Sequence, residues 1–318
     1  MFSKVSIKNF KSLRGLELAP RRVNVLIGEP NTGKSNLLEA LAVFSEGVTQ
    51  NLQEMLRFKS VGDLFFDREL DEPAQVSADD WEWVLTFEAS HYTGQYFQSS
   101  RNCGTFSLDP SGAFTGNYPS QPPARYYRFK SLPAFTNVVA GALRAPHGSN
   151  LVALLATNKR LRVLVGDLFR EKGFRLVIDT ERNELLLAKD VNDQLYNFSY
   201  PTISETLRRI VFYMAVLETN QNAVVLLDEP EANTFPFYTT YLAERIALDE
   251  TNQFFLTTHN PYILASIVAK TPTEHLAVFV TEMVDYQTVL KRVTAAGLSR
   301  ILDYGSSAFL NLERLTEE

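Results

Sequence analysis

An α/β fold with a mostly parallel central sheet is predicted by three features of this chain. The first is a strand, a glycine-containing loop and a helix in immediate succession across residues 22–42. The second is a short, wholly apolar run, Ala223-Val224-Val225-Leu226-Leu227, of the kind that suits a strand buried on both faces. The third is the strand-then-helix order that repeats from there towards the C-terminus, the pattern of parallel sheets flanked by helices.

The elements follow in order. Residues 4–7 alternate as a strand does, and Arg22-Val23-Asn24-Val25-Leu26-Ile27 is a second strand with turn signals between. After the loop, Leu37-Leu38-Glu39-Ala40-Leu41-Ala42 has good helix formers at helical spacing. Residues 61–144 differ: they are rich in aromatics, Gly, Pro and Ser, with strand patterns at 81–87, 92–97 and 105–108. An inserted β-rich lobe is expected there, within a discontinuous domain made of residues 1–60 and 145–318. Residues 151–169 are helical in pattern, and 174–178 with 184–188 read as a hairpin. Ser204 opens a helix with Leu207, Ile210, Val211, Met214 and Leu217 on one face. Helix 238–248, strand 253–257, helix 262–269 and strand 276–281 complete the reading.

The loop is Gly28-Glu29-Pro30-Asn31-Thr32-Gly33-Lys34-Ser35, a full match to G-x-x-x-x-G-K-S, followed by Asn36. Its glycines let backbone N–H groups line a nest for phosphate oxygens. The helix that follows adds its positive N-terminal end. Lys34 is the cation for the β and γ phosphates, and the Ser35 hydroxyl is placed to ligate Mg²⁺. Asp228 ends the apolar run 223–227, where a carboxylate holds Mg²⁺ beside such a loop. Glu229 is the candidate to polarise the attacking water, and His259, at the end of strand 253–257, the candidate to contact the γ phosphate. His91, His147 and His275 have no such setting.

Composition bounds the rest. Across 318 residues, 45% hydrophobic, there is ample material for a core. Cys103 is the lone cysteine, which excludes an internal disulfide and a cysteine zinc cluster; a reducing, cytoplasmic setting is expected. No stretch approaches the roughly 18 apolar residues of a membrane span, and Lys4, Lys8 and Lys11 break any signal-peptide pattern. The net charge of −6 shows no global basic character. Charge is nonetheless uneven. Residues 54–88 hold ten acidic and three basic side chains, and residues 125–175 hold ten basic and two acidic. The bland reading is two differently solvated faces. The sharper reading is a DNA-facing patch that includes Arg125, Arg128, Lys130, Lys159, Arg160 and Arg162.

With these motifs on the page, the chain resembles the ABC-type ATPase heads of the SMC, RecF and OLD group, a P-loop NTPase fold. The resemblance rests on the phosphate loop, Asp228-Glu229-Pro230-Glu231 after an apolar strand, and Thr257-Thr258-His259. It rests also on the opening Val5-Ser6-Ile7-Lys8-Asn9-Phe10-Lys11-Ser12-Leu13 and on Asn31 through Leu41. It covers residues 1–45 and about 145–290 and looks nearest to stand-alone bacterial AAA family ATPases on the OLD-like branch. It implies a homodimer that sandwiches two ATP molecules, each γ phosphate capped by a signature helix of the other subunit. In this chain that helix start is Ser204-Glu205-Thr206. Three departures stand out: the glycine usual after the signature serine is missing; Thr234-Phe235-Pro236 replaces Leu-His-Pro; and Gln75, Gln95 and Gln98 lack the setting of a glutamine loop.

The expectation is therefore Mg²⁺-dependent ATP hydrolysis serving DNA repair or defence against foreign DNA. A nuclease or toxin would be supplied by a partner protein, since too few residues follow Thr281 for such a domain. The alternative is a nucleotide-gated assembly protein with little turnover.

Overall fold

A computed structural model of the chain describes residues 1–50 and 52–317. Sixteen strands and nine α-helices among these residues form three sheets and the layers that cover them. The strands are β1 Val5–Phe10, β2 Leu13–Leu18, β3 Val23–Gly28, β4 Ala74–Ala78, β5 Trp81–Glu88, β6 His91–Gln98, β7 Arg101–Leu108 and β8 Phe114–Gly116. They continue with β9 Ala124–Tyr127, β10 Arg175–Asp179, β11 Glu184–Val191, β12 Gln194–Ser199, β13 Val224–Asp228, β14 Gln253–Thr257, β15 Leu276–Val284 and β16 Gln287–Arg292. The helices are α1 Lys34–Ala42, α2 Leu52–Leu56, α3 Leu151–Thr157, α4 Lys159–Arg170, α5 Glu205–Thr219, α6 Pro236–Leu248, α7 Pro261–Lys270, α8 Ala295–Tyr304 and α9 Leu312–Thr316.

The sheet that positions the chemistry has six strands in the order β16-β15-β3-β14-β13-β9. All its pairings are parallel except the β15–β16 hairpin. Strands β3, β13 and β14 are buried at every residue, as a parallel sheet covered on both faces requires. Because the three run side by side in one direction, the phosphate loop after Gly28, the Asp228 turn and the Thr258 loop all leave the same edge. Ligand sites of open α/β sheets form at that carboxyl edge.

The second sheet is antiparallel and has seven strands, β2-β1-β4-β5-β6-β7-β8. It carries most of the strands in residues 61–144, and its first two strands come from the N-terminus. Strands expected at 81–87, 92–97 and 105–108 are β5, β6 and β7, and β4 joins them to β1 by pairing Ile7 with Val76. Ala124–Tyr127 does not join this sheet; it is the edge strand of the six-stranded one, parallel to β13. Helix α1 lies between the two sheets, with Leu37, Leu38, Ala40 and Leu41 fully buried in the core that also holds Phe10, Phe44 and Trp83.

A third sheet, β10-β11-β12, lies against α3 and α4. The hairpin expected at 174–188 is β10–β11, pairing Val177 with Leu186. The single helical stretch expected at 151–169 is two helices. Asn158 stands between them and caps the second, its side chain accepting from Leu161 N at 3.0 Å, as Asn does at helix N-termini. Among the described residues no helix is long and apolar enough to cross a membrane.

Candidate nucleotide site

The phosphate loop gets its shape from two glycines. Gly33 has φ +88° and a Cβ there would stand 1.9 Å from Thr288 Oγ1, so only glycine fits beside that hydroxyl. Gly28 has φ +152°, and its Cβ would meet Thr281 Oγ1 at 2.3 Å. Thr281 also meets Thr32 Oγ1 at 2.5 Å, and Thr288 meets Ser12 Oγ at 2.6 Å. Ser12 in turn accepts from Asn36 Nδ2 at 2.7 Å. The loop is thus held from outside by β15, β16 and the β1–β2 turn, three segments for which sequence pattern gave no site role. Lys34 Nζ donates to the carbonyls of Gly28 at 3.1 Å and Glu29 at 2.6 Å. Burial lowers its pKa, and Glu229 and Asp228 oppose that.

Ser35 Oγ donates to Asp228 Oδ1 at 3.0 Å, although 193 residues separate the two. A hydroxyl and a carboxylate are hard oxygen donors of the kind Mg²⁺ takes beside phosphate oxygens, so this pair fits the ion. Asp228 is fixed further by Thr257 Oγ1, which donates at 2.9 Å, and by Tyr126 Oη at 3.4 Å. Burial raises the Tyr126 phenol well above its ordinary range, so it stays a donor.

Glu229 has φ +45°, a strained setting for a side-chain-bearing residue that costs of order 1–3 kcal/mol. Its N–H donates to Thr257 Oγ1 at 3.0 Å. Its carboxylate is half exposed and stands 3.7 Å from His259 Nε2. Burial and the nearby Lys34 push the His259 pKa down, with Glu229 and Asp228 working the other way. A neutral imidazole that offers one N–H follows.

Six residues around the site were given no role by the sequence: Arg57, Glu39, Lys11, Tyr126, Thr257 and Glu231. Arg57 reaches Asp228 Oδ2 at 3.9 Å while its Nε contacts Glu39. Glu39 is fully buried and is shared with Lys11, so the opening segment, α1 and the residue after α2 meet in one ion cluster. Tyr126 and Thr257 hold Asp228 as described. Glu231, two residues past Glu229, is buried with its Oε1 accepting from Thr258 Oγ1, and burial raises its carboxyl to about 7. The one available clue was the Asp-Glu-Pro-Glu spelling.

Ser204 is the N-cap residue of α5, and its side chain makes no capping hydrogen bond. Thr206 Oγ1 donates to Asn233 O at 3.0 Å, and Glu205 pairs with Arg209 at 2.9 Å. Helix α5 therefore begins against the turn that follows Glu229. The glutamines stand elsewhere, Gln75 on β4 and Gln95 and Gln98 on β6. In the basic run, Arg125 pairs with Glu46 at 3.5 Å, Arg160 with Glu218 at 2.9 Å, and Lys130 with Glu54. Arg162 donates to the carbonyls of Leu155 and Ala156 at 3.0 and 2.6 Å.

A phosphate loop at the end of β3, with Asp228 and Glu229 at the end of β13 beside it, defines an ATP-binding, ATP-hydrolysing P-loop domain. Comparison with known proteins agrees. Residues 1–82 match a family described as "AAA ATPase domain". Residues 97–265, more than half of the chain, match the family described as "AAA domain, putative AbiEii toxin, Type IV TA system", and the chain belongs to that family. The fold is shared with a solved structure titled "Crystal structure of the SmcHead bound to the C-winged helix domain of ScpA", at 13% identity and TM-score 0.57, covering 93% of this chain and 98% of that one. The SMC head domain from Thermotoga maritima overlays at 15% identity and TM-score 0.43, covering 92% of this chain and 99% of that one. No curated protein matches the chain.

Proposed function

We propose that Lys34, Ser35, Asp228, Glu229 and His259 form the hydrolytic centre for ATP, with Gly28 to Asn36 cradling its phosphates. The observation that carries this reading is the meeting of Ser35 and Asp228 at 3.0 Å beside Glu229 and His259 at 3.7 Å. In this reading Lys34 leaves its carbonyl partners for the β and γ phosphates. Mg²⁺, held by Ser35 and Asp228, supplies charge neutralisation at the phosphate oxygens. Glu229 orients a water and takes its proton as the oxygen attacks the γ phosphorus; the bond to the ADP oxygen breaks. His259 donates its N–H to the γ-phosphate oxygens. Positioning and charge stabilisation do most of such work.

A second copy of the chain completes the site in this proposal, through Ser204, Glu205 and Thr206. Support comes from the uncapped Ser204 hydroxyl at an exposed helix start. Phe235 and Phe237 support it too, standing 67% and 69% exposed where the Glu229 turn runs into α6. Apolar side chains this exposed beside a catalytic turn suit an interface. The process served is proposed to be DNA repair or defence against foreign DNA, with a nuclease or toxin as the partner. The toxin wording of the family description favours defence. A salt titration of duplex binding reads whether this chain contacts DNA itself, since phosphate contacts weaken as salt rises.

Phosphate release tests the centre. Glu229→Gln is expected to lower turnover by about 10²- to 10⁴-fold, the range for losing a general base, and to leave ATP binding intact. Turnover unchanged by that substitution removes Glu229 from the mechanism. The second reading, nucleotide-gated assembly with residual hydrolysis, is favoured by the missing signature glycine after Ser204. Nucleotide-dependent dimerisation without phosphate release is its signature.

A further inference from the structure

Glu231 lies two residues past the candidate base and has no place in the hydrolytic scheme, yet it is 6% exposed. An ionisable side chain so deeply buried is expensive unless it is fully paired. Glu231 is not. Its Oε1 accepts from Thr258 Oγ1, and its Oε2 is buried with no hydrogen-bond partner among the described residues.

The bonds around it run in two directions. Thr258 Oγ1 donates to Glu231 and accepts from Asn260 N at 2.9 Å. Asn260 then caps α7, its side chain accepting from Tyr262 N at 2.8 Å. The two residues on either side of His259 are thereby fastened to one carboxyl group. On the other side, the Glu231 carbonyl accepts from Thr234 N at 3.1 Å and Thr234 Oγ1 at 2.6 Å, closing the turn that contains Asn233. Asn233 O accepts from Thr206 Oγ1 at the start of α5. A continuous chain of contacts joins His259's loop, Glu231, the 231–234 turn and the helix that begins after Ser204.

We propose that Glu231 is a positioning residue that couples the His259 loop to the start of α5, so that a shift of His259 on the γ phosphate moves the Ser204–Thr206 segment. The inference rests on the reading of His259 given above. In this scheme Glu231 takes no part in binding nucleotide or water. It acts through Thr258 on one side and through its own turn on the other.

Two readouts test this on the full-length chain. Hydrogen exchange is measured at the amides of residues 204–209 with and without Mg²⁺ and ATP. The wild type is expected to change protection there. Thr258→Val, which removes the hydroxyl at nearly constant volume, is expected to abolish that change while nucleotide affinity stays within about twofold. Unaltered exchange in the wild type, or an equal response in Thr258→Val, overturns the coupling whether or not the protein turns over. Where wild-type phosphate release is measurable and sensitive to Glu229→Gln, the second readout applies. Glu231→Gln and Thr258→Val should each lower kcat with KM for ATP little changed, and the double variant should be no worse than the poorer single one, as residues of one pathway behave. Independent, multiplying losses overturn the proposal. Wild-type turnover insensitive to Glu229→Gln sinks the hydrolytic reading while leaving the exchange test standing.

Discussion

Strands β3, β13 and β14 of the six-stranded sheet are buried at every residue, whereas β12 of the three-stranded sheet is exposed at every residue. Both are hydrogen-bonded strands of similar length. The difference lies in what covers them. The first three have neighbours on both sides and packed layers on both faces, so every side chain is selected for burial, and polar groups gather only where the strands end. Strand β12 is an edge, with Leu195, Tyr196 and Phe198 partly in solvent. The contrast teaches where chemistry is placed in this fold: at the ends of the strands whose interiors have no freedom left.

The sharpest way to break that comparison is at the end of β3. Lys34→Ala is expected to abolish ATP binding and leave the far-ultraviolet circular dichroism unchanged, because the hydrogen bonds of Lys34 Nζ go to the carbonyls of Gly28 and Glu29 at the end of β3. Fluorescent-nucleotide titration reads it. Retained affinity would detach the phosphate loop from nucleotide binding altogether.

Inside the sheet, Phe255 of β14 is fully buried. Phe255→Ala should destabilise the chain by about 3–5 kcal/mol, the usual cost of an aromatic cavity, as read by urea unfolding. A loss below about 1 kcal/mol would mean that the sheet is not the core it is taken to be.

These two effects also divide what was legible in the sequence from what was not. The apolar runs of β3, β13 and β14 and the turns that end them are local, so their residues spell them out in order. That Ser35 meets Asp228 and that Glu229 meets His259 follows from their positions at such ends. Arg57 beside Asp228 and Thr206 against Asn233 were not legible, because each contact joins distant stretches and no spacing rule links them. Strand β9 was missed for a local reason: Pro122 and Pro123 directly precede Ala124, and prolines there read as a break. The short strand forms because Ala124 and Tyr126 are buried against β13. The uninterrupted helix at 151–169 failed at Asn158, whose cap required knowing which residue turns out of the helix.

Proton linkage at Glu231 gives the next effect. Its carboxyl is raised to about 7 from 4.5, so between those values the folded chain holds a proton that the unfolded chain has released. Stability from this group is intact below pH 4.5 and is lost as pH rises through 7. The full shift corresponds to about 3 kcal/mol. Glu231→Gln has nothing to titrate there, so the stability of wild type relative to the variant should fall between about pH 4.5 and 7. The subtraction removes His259 and every other group common to both. A difference that is flat over that window would place Glu231 ionised in the fold.

The smallest effect belongs to the exposed end of the comparison. Phe198 of β12 is 43% exposed and meets Phe174 edge-on, with ring centroids 6.0 Å apart. Phe198→Ala should cost less than about 1.5 kcal/mol, since little area leaves water and one edge-to-face pair is worth about 0.5–1.5 kcal/mol. ATP binding should be unaffected, because β12 pairs with β11 in the three-stranded sheet and not in the sheet that carries the phosphate loop. Should Phe198→Ala instead cost as much as Phe255→Ala, β12 would be covered in solution, by a second copy or a partner, and the difference between the two sheets would lie in what binds them rather than in how each folds.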